Sequence, residues 1–537
     1  MDEPVKRRFP LVLPIVIILA LAAFLLLFRL DHRPFWQDEA ETACLARNAL
    51  KYGVPRAYDG VNFISQEQGQ EFDQNFLWRW SPWLQIYVTA GAFRIIGPTT
   101  FAGRLPFALL GLGCIFLVYR IISKNFDDRT WASLAALLLC FSVVFLLSAR
   151  QARYYSMGAF LALLSLHAFM EDWQSRFWPA LLLCFSVGLL FHTNYLLFIS
   201  FLAPAFLAAI WLYSDKIPLK RTLKVIFATA LVILPGLFLF RIQEQSKIIH
   251  PVLIPVNLEN YFSGLFQFML PVPIIIYLVW RWRRILWTRS ALPQDPEERF
   301  ALFLTVIIVG NIIFLSPVPQ CEHRYLVHLY PLCAIILGWV ILQAWRFQKI
   351  SAILLGFLLL FTNWLNLIPM DWIYITNRPL LSDRTMLTYP NFPLKLFLTE
   401  LRFSYPDVIG NLVGFFKTHA QPGETILITY GDLPLQFYTN NCVIGGLQGN
   451  IAIPSSPEWV VPRWETRWNR IYNLNYSEII SRAKLSSNFQ YYPLVLSFED
   501  EAFGNIPDPY EHRFIPLAHS RHKMVIYKKH SVSLHGP

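Results

Sequence analysis

What most limits how this chain can fold is a succession of apolar runs of bilayer length, at 11–30, 104–122, 131–148, 156–172, 178–192, 194–213, 225–241, 261–280, 300–317, 326–345 and 350–369. A helix of about 20 apolar residues crosses the hydrocarbon of a membrane and satisfies its own backbone hydrogen bonds there. Several of these runs are short, so neighbouring protein must cover their ends. With 55% hydrophobic and only 15% charged residues, a soluble globular fold does not fit. The expected architecture is a polytopic α-helical membrane protein with about eleven transmembrane helices. The first run follows Lys6-Arg7-Arg8 as a signal peptide would, but its length and the lack of a small-residue cleavage site make it an anchor.

The net charge of +11 reports topology. Lys and Arg collect in short cytoplasmic loops and form no long basic tract or nucleic-acid motif, so no nucleic-acid partner is expected. The seven cysteines contain no C-x-x-C pair and imply neither a disulfide framework nor a zinc site. The basic loops around Lys216 to Lys224, Arg281 to Arg289 and Arg346 to Lys349 all fall inside only if a further apolar segment, 83–96, does not cross. That segment is therefore read as a membrane-surface or re-entrant helix in a first external loop, 31–103. The same parity places three polar segments on the outer face beside that loop. They are Ser148 to Tyr155, Phe191 to Tyr195, and Gln320 to Tyr325.

After residue 369 the composition turns to Asp, Asn, Pro, Gly and Tyr, and no further span follows. The expected division is a transmembrane domain over 1–369 and an external α/β domain over 370–537. Within the latter the pattern predicts helices near 407–419 and 433–438, a turn at Gln421 to Glu424, and strands near 425–429, 492–498 and 523–528. Its aromatic stretches 436–438 and 459–468 suit sugar stacking or core packing.

The chemistry is expected in 35–53. Asp38 followed by Glu41 reads as an N-cap with its capping-box partner, and Gly53 as the left-handed stop, giving a helix over about 39–52. Asp38 and Glu39 then sit at a membrane surface, where a carboxylate is costly unless paired or used. The order of elements resembles the GT-C membrane glycosyltransferases over residues 10–345. It runs Trp36-Gln37-Asp38-Glu39-Ala40, Ala46-Arg47, Trp80-Ser81-Pro82-Trp83, then Arg104-Leu105-Pro106. The likeness is greatest to the branch holding the protein O-mannosyltransferases and the lipid A aminoarabinose transferase.

That resemblance implies a membrane glycosyltransferase with Asp38 as general base and Glu39 beside it. It implies donor contacts from Arg150, Arg153 and Tyr154 (A-R-x-Y), from His192 after Gly188-Leu189, and from Arg324-Tyr325 before Pro331. Glu39, Glu322 and His323 are the candidates for holding a divalent cation, which no ligand spacing demands. The implied reaction moves a sugar from a polyprenyl-phosphate carrier in the bilayer to a glycan, lipid or protein acceptor on the external face, with inversion. The alternatives are a polysaccharide ligase or polymerase, and a lipid-linked sugar transporter. A transporter would more typically show repeats and mid-membrane charges. A bacterial inner membrane, with a cytoplasmic N-terminus, is the expected location; in an endoplasmic reticulum, Asn475-Tyr476-Ser477 would accept glycan.

Overall fold

The computed structural model describes residues 13–242, 249–288, 292–319, 321–367, 390–403, 407–445, 448, 457–463, 491–500, 506–509, 512, 514 and 523–530. Asn475 and residues 464–468 of the second aromatic stretch lie outside them. The helices are α1 (Leu13–Leu27), α2 (Gln37–Tyr52), α3 (Leu84–Ile96), α4 (Thr100–Asn125), α5 (Arg129–Phe141), α6 (Val143–Ala149), α7 (Tyr155–Met170), α8 (Phe177–Thr193), α9 (Tyr195–Leu212), α10 (Leu219–Leu239), α11 (Ile254–Phe268), α12 (Val272–Thr288), α13 (Pro296–Leu315), α14 (Tyr330–Phe347) and α15 (Lys349–Phe361). A 3-10 segment, His323–Leu329, leads into α14.

Within the described residues every expected apolar run contains a helix, but length divides them. Among the described residues five helices are long and apolar enough to cross a membrane, or up to seven if each bent pair is one span. The expected span 131–148 bends by 67° between α5 and α6. The expected span 261–280 is broken by 105° between α11 and α12, where Pro271 withdraws a backbone donor. The remaining expected runs are shorter apolar helices, as is α3 over the ambiguous segment. A multi-pass helical membrane protein is what this set describes.

Caps fix several boundaries. Asp128 accepts from Trp131 N at 2.8 Å to open α5, and Asn194 accepts from Leu197 N at 3.0 Å to open α9. Gly53 ends α2 at φ 80, a left-handed conformation that costs a glycine little. The expected start of α2 moves, because Trp36 is the N-cap and Glu39 at N3 receives the Trp36 amide at 3.4 Å. Asp38 therefore lies inside the first turn, with its side chain released from capping.

The rest of the chain contributes α16 (Pro393–Arg402), α17 (Val408–His419), α18 (Asp432–Tyr438) and a five-stranded sheet. Its strands are β1 (Thr425–Ile428), β2 (Cys442–Gly445), β3 (Trp459–Val461), β4 (Tyr491–Glu499) and β5 (Lys523–Lys529), ordered β2-β1-β3-β5-β4. β1 pairs in parallel with β2 and β3, and the β5 pairings are antiparallel. Trp459 is fully buried in the core beneath this sheet, so packing rather than sugar stacking is its use.

This region is sewn onto the first loop. Asn62 donates to Asn441 O at 3.2 Å and accepts from Val443 N at 2.7 Å, and Gln436 donates to Phe63 O at 2.9 Å. Glu400 gathers His32 and Arg33, each at 3.2 Å, and His512 at 2.7 Å. At the start of α18, fully buried Asp432 accepts from Gln37 at 2.8 Å and Gln448 at 3.1 Å. Burial outweighs those two amides and pushes the Asp432 carboxyl up to about 6.

A carboxyl raised on folding favours the folded state most at low pH, and that contribution is lost as pH rises through its folded value. Between pH 5 and 7, thermal stability should therefore fall more for the wild type than for Asp432→Asn. Parallel unfolding curves for the two proteins would remove Asp432 as the cause.

Candidate active site

One cavity of about 560 Å³ opens where α2, the first loop, the α6–α7 turn and the 3-10 segment meet. Asp38, only 8% exposed, lines it. Arg324 Nη1 donates to Asp38 Oδ2 at 2.6 Å, and Arg153 Nη2 lies 3.6 Å from the same oxygen. Gln66 reaches Oδ1 at 3.5 Å. Two guanidinium groups from distant parts of the chain thus converge on one carboxylate, with Tyr154, Tyr155 and Tyr325 around them.

Glu41 lies three residues along α2, on the face that Asp38 occupies, and also lines the cavity. It accepts from Arg153 Nη1 at 3.0 Å and from Gln66 Nε2 at 2.7 Å. Burial raises the Glu41 carboxyl above its ordinary range even though Arg153 pulls it down. For Arg153, the charges of Asp38 and Glu41 outweigh burial and raise its affinity for the proton. The sequence offered Glu41 only as a cap partner, yet its spacing from Asp38 carried the signal of a shared face.

Three expected site residues are elsewhere. Glu39 is fully buried and does not line the cavity; it is gripped by Arg104 through Nε at 2.8 Å and Nη2 at 2.6 Å, and by Ala152 N at 2.8 Å. One helical residue turns the side chain by about 100°, so neighbours of an inward-facing Asp38 look away from the cavity. Arg150 donates to the carbonyls of Leu25, Leu26, Phe28 and Arg29 at 2.8–3.1 Å, capping α1 with its charge at the negative helix end. His192 bonds Val232 O at 2.8 Å and ties α8 to α10 without lining the cavity. None of these three side chains lines the cavity that holds Asp38.

Glu322 and His323 do line the cavity, and His323 Nε2 bonds Tyr330 Oη at 2.5 Å. With Glu39 committed to Arg104, the expected cation set does not assemble. Among the described residues no group of three or more His, Cys, Asp or Glu is placed to hold a metal ion.

The cavity has two unlike sides. Phe191, Leu196, Phe198, Ile199 and Leu237, on α8, α9 and α10, give it an apolar flank toward the spanning helices. Glu67, Glu71, Gln66 and residues of the 370–537 region wall the polar side. Two guanidinium groups beside a carboxylate, with an apolar flank, have the chemistry to hold the charged head of an amphiphile.

Residues 81–240 match the family model described as dolichyl-phosphate-mannose-protein mannosyltransferase. Two solved structures of ArnT from Cupriavidus metallidurans share the fold. The form bound to undecaprenyl phosphate is 13% identical over 98% of this chain and 99% of that one, with a TM-score of 0.52. The apo form is 14% identical over 80% of this chain and 85% of that one, with a TM-score of 0.50. At these identities the likeness is one of fold. No curated protein sequence matches the chain.

Proposed function

We propose that the chain is a membrane glycosyltransferase of the GT-C kind, which transfers a sugar from a polyprenyl-phosphate carrier to an acceptor on the external face of a plasma membrane, with Asp38 as general base. The observation that carries this reading is the meeting of Asp38, Arg153 and Arg324 in a cavity with one apolar flank. The carrier's tail lies along α8 to α10 and its phosphate meets the two arginines. The donor's phosphodiester is a monoanion with two free oxygens, and by bidentate guanidinium pairing it competes with Asp38 for the arginines. Donor binding thereby loosens Asp38 from Arg324, and the freed carboxylate becomes a stronger base when a substrate is in place.

The acceptor's hydroxyl or amine then attacks the anomeric carbon opposite the phosphate. Asp38 takes the proton, the bond from anomeric carbon to phosphate oxygen breaks with its electron pair left on that oxygen, and the arginines stabilise the charge that develops there. Attack from the opposite side inverts the centre. Tyr154 and Tyr325 line the donor's place and orient it.

Arg324→Ala tests this reading in proteoliposomes supplied with polyprenyl-phosphate sugars. The loss of one charged hydrogen-bond partner should raise the donor KM about 10- to 100-fold, with partial recovery in Arg324→Lys. An unchanged donor KM would remove the phosphate role.

A further inference from the structure

The catalytic cavity is not built by the membrane helices and first loop alone. Tyr430, which follows β1, and residues 506–509 (Ile-Pro-Asp-Pro) form part of its wall. Two contacts hold that wall in place. Gln151, whose side-chain oxygen accepts from the Trp36 indole at 3.0 Å, donates to Pro507 O at 2.8 Å. A little further on, His512 is anchored on Glu400. Asp508 is partly exposed to the cavity and lies within electrostatic reach of Tyr155, one of the rings around Asp38. Tyr430 is 7% exposed and presents an aromatic surface to the same space.

The geometry points to Tyr430 and Asp508 as the acceptor subsite, binding a polyhydroxylated sugar headgroup whether it belongs to a glycan or a glycolipid. The inference rests on the glycosyl-transfer reading and adds the acceptor's chemistry to it. The arginines and the apolar flank take the donor, which leaves the wall built by Tyr430 and residues 506–509 for the incoming nucleophile. A carboxylate accepts paired hydrogen bonds from neighbouring hydroxyls, and an aromatic ring covers the apolar face of a sugar. A peptide acceptor bound by strand addition needs an exposed strand edge at the site. No described strand lines this cavity; both wall segments come from loops.

The test uses the full chain in lipid nanodiscs. Binding is read by saturation-transfer NMR with a panel of soluble oligosaccharides, a panel of unstructured Ser/Thr peptides, and undecaprenyl phosphate as the donor-side probe. An oligosaccharide should bind the wild type and lose about tenfold in affinity in Asp508→Ala and in Tyr430→Ala. Tyr430→Phe should bind within about threefold of the wild type, because the ring remains. Undecaprenyl phosphate should bind the variants as it binds the wild type, which shows that they are folded. The proposal is overturned if peptides bind and oligosaccharides do not, or if both alanine variants keep oligosaccharide affinity. Loss of undecaprenyl phosphate binding by the wild type itself would instead strike the transfer reading.

Discussion

Asp38→Asn is expected to slow sugar transfer about a thousandfold, within the range for removing a positioned general base, while leaving the protein folded. The substitution keeps the side chain's shape, so Gln66 retains an oxygen to bond. What disappears is the charge that now holds Arg324 at 2.6 Å and draws Arg153. Both guanidinium groups then become available to a phosphate without competition, so undecaprenyl phosphate should bind at least as tightly as to the wild type. Turnover falls while donor affinity holds or rises, a pairing that a merely structural role for Asp38 would not produce. A folded Asp38→Asn protein with turnover within tenfold of the wild type would sink the mechanism. Turnover and donor binding lost together would instead make Asp38 a scaffold for the arginines.

Apolar periodicity and charge parity made the helical membrane part legible, because burial in lipid demands long apolar runs and leaves little choice of backbone. Asp407 capping α17, the turn at Gly423 and strands β1, β4 and β5 could be read for the same reason: each depends on neighbours within a few residues. β2 and β3 have four and three residues; β1 is no longer than β2, but the Gln421 to Glu424 turn marks its start, whereas β2 and β3 are set by pairing along its two edges. The break at Pro271 was masked by apolar sequence on either side.

At the site, Asp38, Arg153 and Arg324 could be named from motifs, but their neighbours divide by tertiary contact. Arg150 and Arg153 look alike in sequence. The carbonyls at the end of α1 capture the first, and Asp38 with Glu41 captures the second. The shift of the cap from Asp38 to Trp36 was equally hidden. Both frames place a glutamate three residues on, and Trp is not a residue that announces a cap.

The Glu39–Arg104 pair should matter for folding rather than for turnover. Glu39 is fully buried and Arg104 is 7% exposed, and the two form a fork of hydrogen bonds at 2.6 and 2.8 Å. Arg104 also donates to Leu30 O, Arg33 O and Pro34 O, each at 3.0 Å, so one guanidinium joins α4 to the turn that delivers α2. Removing one partner of a buried pair strands the other's charge, at a cost of about 3–5 kcal/mol. Glu39→Gln and Arg104→Gln should each lower the thermal unfolding temperature of the purified protein sharply. The double substitution should be less damaging than the two effects added, since neither charge is then left alone. Whatever fraction of Glu39→Gln folds should keep the wild-type turnover per folded molecule, because its carboxylate faces away from the cavity. Normal thermal stability with lost turnover would reverse the assignment and return Glu39 to the chemistry.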